Sequence, residues 1–301
     1  MDLDKKDFNA LRTYIRRVCG IDLGDDKEYL VRQRLEPIVT SQGCRGFGEF
    51  ARIVSCCPTE QLRDQVIAAI TTNETSFFRD SHPFDVFRAT VLPDLEKLAR
   101  ERKNRVYDRR GAKVSILSAG SSTGQEPYTL SILIHEFCQF GAHGDLKPDD
   151  FAIVATDVSS RVLAKAVAGE YSDLEIGRGL SDIQKSLYFS KEGDTWIVNE
   201  NIRKIVEFRK VNFIEPFTHL GGFDVVFCRN VLIYFDIEMK RRILSQFHQM
   251  LSPQGFLVLG ATENIYGMSD RFNSNHVSGS VLYRPMAGAA ASVGSPVGAA
   301  A

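Results

Sequence analysis

At 301 residues, with 44% hydrophobic and 25% charged side chains, the chain has an ordinary globular composition. That length fits two domains of roughly 100–200 residues each. A formal net charge of −1 leaves no global basic field, which argues against a chain built for non-specific nucleic-acid binding. The polar start MDLDKKDFNA and the absence of any apolar run near the ~18 residues of a bilayer span predict a cytoplasmic chain with no membrane insertion.

Residues 1–72 carry helical periodicity only. Phe8, Leu11, Tyr14, Ile15 and Val18 recur at helical intervals before Gly20. Lys27–Thr40, Phe47–Val54 and Leu62–Ile70 give three more helices, the last started by Pro58-Thr59. A small all-α domain over 1–75 is therefore expected. A helical connector over 76–105 should follow, capped by Ser81, with Pro83 in its first turn and a break at Leu92-Pro93.

From 106 to 285 the pattern changes to strands alternating with helices. The strands are Val114–Ala119, Phe151–Asp157, Ile205–Val211, Phe223–Cys228 and Gly255–Gly260. The helices are Glu126–Phe137, Arg161–Ala168 and Ile237–Leu251, and Val277–Arg284 reads as a final edge strand. Such alternation predicts an α/β fold, a doubly wound Rossmann-like sheet covered on both faces. Two β-prone runs around Asn199-Glu200-Asn201 predict a small β-hairpin subdomain inserted at about 176–208. The Ala/Gly-rich stretch 286–301 is expected to be a disordered tail.

The six cysteines and six histidines include no C-x-x-C or H-x-x-x-H pair, and Gln139 stands where an H-E-x-x-H begun at His135 would need its second ligand. Reduced thiols and no metal site are expected. The chemistry should lie at the strand ends. Leu117–Thr129 joins the first strand to its helix, at the edge where open α/β sheets bind ligands. Gly120 and Gly124 permit close backbone approach, but the spacing is not that of a pyrophosphate cradle, and Glu126 would repel a phosphate. A carboxylate there suits a cationic group such as an amino acid's ammonium. Asp157, ending the second strand, could accept hydrogen bonds from a ribose diol or cap the next helix. Asn212 and Asn230 follow the third and fourth strands on the same rim, and Tyr234 and Phe235 could close over a reacting centre. Upstream, Arg79 could clamp a carboxylate. A rival reading uses Gly120-Ser-Ser-Thr-Gly124 as a G-x-S-x-G elbow, with Ser122 as nucleophile and Asp224 or Asp236 and His248 or His276 as partners.

Four segments in order, TTNETSFFRD (71–80), STGQEPYTL (122–130), ATDVSSRVLAKA (155–166) and FDVVFCRNVLIYFD (223–236), resemble the CheR family of chemoreceptor glutamate O-methyltransferases. The resemblance spans about residues 5–285. It implies a methyltransferase fold, S-adenosyl-L-methionine (SAM) as methyl donor, S-adenosyl-L-homocysteine (SAH) as product, and glutamates of a methyl-accepting chemoreceptor's cytoplasmic domain as acceptors. By the same resemblance Asn73, Thr75, Arg79, Glu126, Asp157, Asn212, Phe213, Asn230 and Val231 line the SAM site, and Arg79 and Tyr234 adjoin the transferred methyl. The chain departs from the family at Ser121 and at Gln125. Lys191–Thr195 is shorter than the Gly-rich loop of members that grip a receptor's C-terminal pentapeptide, which implies the pentapeptide-independent type. Arg34 matches a receptor-facing position, and Arg32, Arg12 and Arg16 lie near it on the first two helices. The expected protein is a monomer. A SAM- or SAH-binding regulator without turnover is the alternative.

Overall fold

The computed structural model describes residues 1–104, 113–140 and 144–286. The expected tail beyond Met286, residues 105–112 of the Lys/Arg-rich segment 97–113, and His143 lie outside the described residues.

The first four helices are α1 (Lys5–Cys19), α2 (Glu28–Ser41), α3 (Phe47–Cys56) and α4 (Glu60–Ile70). The side chains of Asp4 and Thr59 cap α1 and α4 by accepting from Asp7 N and Leu62 N, and Gly20 ends α1 at φ 75°. Phe8, Leu11, Ile15, Val31, Leu35, Phe50 and Val66 bury one common core. Val158 and Tyr234, from the second half of the chain, pack against that core, so the helical domain sits on the edge where the site lies.

The connector differs from expectation in two ways. Ser81 makes no side-chain cap to α5 (His82–Val86). Its backbone closes a tight left-handed segment in which Phe78, Asp80 and Ser81 have φ of 50°, 61° and 23°, and its carbonyl takes the N–H groups of Phe84 and Asp85 instead. Nor does Pro93 break the helix. A wide π-turn over Phe87–Val91 precedes α6 (Leu92–Asn104), which places Pro93 in a first turn, where a missing N–H is tolerated.

The larger sheet has seven strands in the order β6-β2-β1-β7-β8-β10-β9. They are β1 (Val114–Ala119), β2 (Phe151–Asp157), β6 (Val206–Lys210), β7 (Phe223–Cys228), β8 (Leu251–Leu259), β9 (Phe272–Val277) and β10 (Ser280–Pro285). The pairs β6–β2, β2–β1, β1–β7 and β7–β8 are parallel, while β10 and β9 add antiparallel. Helix α7 (Gln125–Phe140) follows β1, α8 (Ser160–Ala168) follows β2, and α12 (Ile237–Met250) follows β7. Ile116 points into the core shared with α6 and α7, and its neighbour Leu117 into the core shared with α12, as the two-residue period of a strand buried on both faces requires. At the other edge of the sheet Asp224 accepts both guanidinium arms of buried Arg102 at 2.7 Å and the Ser115 N–H at 3.0 Å, which ties α6 to β1 and β7.

Two further expectations are corrected. The final edge strand is a hairpin: β10 lies inside the sheet and β9 forms its edge, with Ser278 and Gly279 both at positive φ in the turn. The inserted unit is a three-stranded sheet rather than a hairpin, with β3 (Glu170–Ser172), β4 (Phe189–Glu192) and β5 (Thr195–Val198) in the order β3-β5-β4. Short helices α9 (Asp173–Gly177), α10 (Asp182–Tyr188) and α11 (Glu200–Arg203) flank its strands. Its tight turn lies at Gly193-Asp194, and Asn199 stands at the N-cap of α11, where the sequence pattern suggested a turn between strands.

Candidate active site

Residues at the carboxyl ends of β1, β2, β6 and β7 share one cleft, the topological switch point of the sheet. β1 ends in Gly120 at φ 76°. A side chain there would place its Cβ 2.4 Å from Val231 Cγ2, so glycine is what lets the two strand ends approach. The N–H groups of Gly120 and Ser121 both donate to the Thr156 carbonyl at 2.8 Å. Asp157 completes the turn: its carboxylate accepts from Ser122 N and Ser159 N, each at 2.9 Å, while facing the cleft. Both readings of Asp157, as turn-maker and as ligand acceptor, are therefore geometrically available. Burial pushes its carboxyl above the usual range, opposed by the backbone N–H groups that surround it.

Glu126 enters from the first turn of α7. Its carboxylate accepts from Ser118 Oγ at 2.8 Å and from Arg229 Nη1 at 3.1 Å. Burial pushes Glu126 up, and the Arg229 guanidinium and the Ser118 hydroxyl pull the other way. Arg229 was not among the sequence candidates. It is almost wholly buried and reaches three parts of the site: Glu126, the Arg79 carbonyl at 2.6 Å and Asp80 at 3.1 Å. Its guanidinium also lies over the Phe84 ring, 4.9 Å from the centroid. An arginine directly after the apolar end VVFC of β7 was the signal available for finding it.

The remaining candidates converge on the same cleft. Asn73, Thr75 and Arg79 line it from the segment before α5, with Arg79 Nη1 donating to the Glu74 carbonyl at 2.8 Å. Phe213, Asn230, Val231, Tyr234 and Phe235 line it from the loops after β6 and β7. Asn212 lines it too while its Nδ2 donates to the Val18 carbonyl at 2.7 Å, joining the site to the end of α1. The helical domain supplies two wall residues that sequence reasoning missed, Cys19 and Ile21. Burial raises the Cys19 thiol to about 11, so it is a neutral wall and not a nucleophile.

Three buried polar atoms of this wall have no hydrogen-bond partner among the described residues: Ser121 Oγ, Arg229 Nε and Asn230 Oδ1. Buried polar groups are normally satisfied, so their concentration in one cleft marks a polar ligand's place. Together with carboxylates for an ammonium and a ribose diol, they fit SAM.

The hydrolase alternative loses its partners. Asp224 is held by Arg102 at the opposite edge of the sheet, Asp236 caps α12, and among the described residues no histidine lines the cleft. Ser122 Oγ donates to the Asn73 carbonyl at 3.0 Å. Ser122→Ala should therefore lower methyl transfer no more than about fivefold, the worth of one hydrogen bond at ~1 kcal/mol. A radiolabelled methyl-transfer assay checks this, and abolition of activity would restore Ser122 to a chemical role.

Three of the four arginines expected at the receptor have partners within the chain. Arg34 caps the end of α4, donating to the carbonyls of Ile70 at 2.6 Å and Thr71 at 3.2 Å. Arg12 donates to Asp25 at 2.6 Å, and Arg16 bonds Asp236, which couples the two domains. Arg32 is exposed on α2.

Comparison with known proteins agrees with this geometry. Residues 6–71 match the model of the CheR methyltransferase all-alpha domain, and residues 73–280 that of the CheR methyltransferase SAM binding domain. A chemotaxis protein methyltransferase of Pseudomonas aeruginosa is 42% identical over 287 residues, covering 94% of this chain and 99% of that protein. One from Pseudomonas putida is 39% identical over 285 residues, with the same coverages, and one from Vibrio cholerae 37% identical over 283 residues, covering 94% and 98%. With both domains matched in order and a cleft suited to SAM, the chain belongs to the CheR methyltransferase family and is a SAM-dependent methyltransferase.

Proposed function

We propose that the chain forms γ-methyl esters on glutamate side chains in the cytoplasmic domain of a chemoreceptor, acting as a cytoplasmic monomer without need of a receptor C-terminal pentapeptide. The observation that carries the choice of acceptor is the make-up of the cleft wall. Among the described residues it contains no histidine and no lysine, its one cysteine is a buried neutral thiol, and its three carboxylates are engaged, Glu126 by Ser118 and Arg229, Asp157 by the Ser122 and Ser159 N–H groups and Glu74 by Arg178. A hydroxyl or ammonium acceptor would need a base to remove its proton. A glutamate carboxylate is ionised at neutral pH and needs none.

When bound, SAM supplies an electrophilic methyl on a sulfonium. Asp157 would hold the ribose hydroxyls and Glu126 the methionyl ammonium, with Asn73 and Thr75 at the methionyl end, Asn212, Phe213, Asn230 and Val231 around the nucleoside. Arg79 and Tyr234 remain to orient the incoming carboxylate. Alignment of this kind can contribute ~7–11 kcal/mol to a two-reactant step. Neither residue is a covalent catalyst. The exposed face of α2 that carries Arg32 is the receptor-facing candidate, with Arg34 on the same helix and Arg12 and Arg16 on α1 as further candidates. The relatives named as chemotaxis methyltransferases support the receptor as partner, and the two-residue turn Gly193-Asp194 supports pentapeptide independence.

The test is methylation of a receptor cytoplasmic fragment with methyl-labelled SAM. Alkali-labile label, released as methanol and lost when the acceptor glutamates are changed to alanine, is expected. Its rate should be the same after removal of the fragment's last five residues. Alkali-stable label would overturn the ester assignment, and loss of labelling on truncation would overturn pentapeptide independence.

A further inference from the structure

The loop leaving β7 carries Arg229, Asn230, Val231 and Tyr234 onto the cleft wall, and a single carboxylate shapes that loop from behind. Glu263 lies outside the cleft wall, in a neighbouring groove. Its Oε2 accepts the N–H groups of Asn230 at 2.7 Å and Gly260 at 2.8 Å. Its Oε1 accepts those of Val231 at 3.0 Å and Ile233 at 3.3 Å. Four main-chain donors on one carboxylate account for its acceptor capacity. Asn230 sits at φ 57°, a left-handed conformation that asparagine tolerates better than most L-residues, and the carboxylate fixes the N–H groups on either side of that turn. Gly260 is part of the device: a Cβ there would meet Glu263 Oε2 at 2.7 Å and Asn230 N at 2.9 Å.

We infer that Glu263 is a positioning residue for methyl transfer. It holds Asn230 in its left-handed turn so that the orphaned Asn230 Oδ1 and the neighbouring wall residues face the cofactor. It touches neither substrate nor cofactor and acts through the loop, and the inference rests on the reading of this cleft as the SAM site. A glutamine at 263 keeps the length and shape but replaces one acceptor oxygen by an NH2 group, which confronts two of the four N–H groups with a donor.

The experiment uses full-length wild type, Glu263→Gln and Gly260→Ala. SAH affinity is read by calorimetry, kcat and receptor-fragment KM by methyl transfer, and folding by thermal melting, with the first two measured well below the melting temperature. Saturable SAH binding by the wild type tests the cofactor site itself; its absence would remove the foundation rather than this inference. With wild-type binding in hand, Glu263→Gln should weaken SAH at least tenfold and lower kcat at least tenfold, while the receptor-fragment KM stays within about twofold. Gly260→Ala should shift the same quantities in the same direction by displacing the carboxylate, and it decides the matter if Glu263→Gln does not fold. A lowered melting temperature with unchanged affinity and kcat would show a purely structural carboxylate and overturn the inference. A shift in receptor KM alone would overturn it as well.

Discussion

Arg229→Met should destabilise the fold by about 3–5 kcal/mol and reduce SAM binding below detection at millimolar ligand. The loss follows from what the guanidinium touches. It is the cationic partner of a largely buried Glu126, it holds the carbonyl of Arg79, and it bonds Asp80 in a segment whose backbone is left-handed at three non-glycine positions. Methionine fills the space over Phe84 but leaves Glu126 a buried carboxylate with only the Ser118 hydroxyl. Desolvation already raises Glu126, and without Arg229 it rises further, which weakens the charge it offers to an ammonium. The double variant Glu126→Gln/Arg229→Met separates the two consequences. Removing both charges should restore much of the stability, because the penalty lies in the unpaired charge rather than in the lost pair, yet it should restore no SAM binding. Denaturant unfolding and calorimetry measure the two arms. If Arg229→Met unfolds at the wild-type denaturant midpoint, the buried pair is not what holds this site together.

The legible parts of this molecule were those governed by local pattern. The parallel strands β1, β2 and β7 are short, largely apolar runs, β6 (VEFRK) is a mixed one, and the polar residues at or soon after the strand ends fall at the ligand edge by topology alone. That is why Asp157, Asn212 and Asn230 could be placed on one rim before any coordinates. β9 carries no strand signal because its sequence FNSNHV has one buried residue, Phe272, and no alternation; as the outer strand of a hairpin it needs none. Asn199-Glu200-Asn201 drew the turn assignment away from Gly193-Asp194 because asparagine favours turns and helix N-caps alike, and periodicity cannot choose between them. Illegible throughout were partners far apart in sequence. Arg16 and Asp236 are 220 residues apart, Arg229 and Glu126 are 103 apart, and Cys19 reaches the cleft only because the helical domain docks there. An arginine on a helix face looks the same in sequence whether it awaits a receptor or caps a neighbouring helix, as Arg34 does.

Asp157→Asn should weaken SAM about 100-fold, equivalent to ~3 kcal/mol, the scale of two hydrogen bonds to a charged acceptor. The change is nearly isosteric, but the new NH2 group faces either Ser122 N or Ser159 N, and the ribose loses an ionised partner. Acidity should produce a graded form of the same loss. Burial raises both Asp157 and Glu126 above ordinary carboxylate values. For the ligand-free protein the sign is that of any carboxyl raised on folding. These two groups favour the fold most at low pH, and that contribution disappears as pH rises through their folded values. The liganded protein requires both ionised, and the cationic ammonium lowers Glu126 again. SAM affinity should therefore decline as pH falls through those raised values, with binding accompanied by proton release. Titrations from pH 8 down into the ordinary carboxylate range, in buffers of different ionisation enthalpy, read both the affinity and the protons released. Asp157→Asn should start weak at pH 8 and lose less on acidification, since only Glu126 still titrates. Wild-type affinity that is flat across that range, with no protons released, would mean that neither carboxylate meets the ligand as an ionised partner. The ribose and ammonium assignments would then fall together.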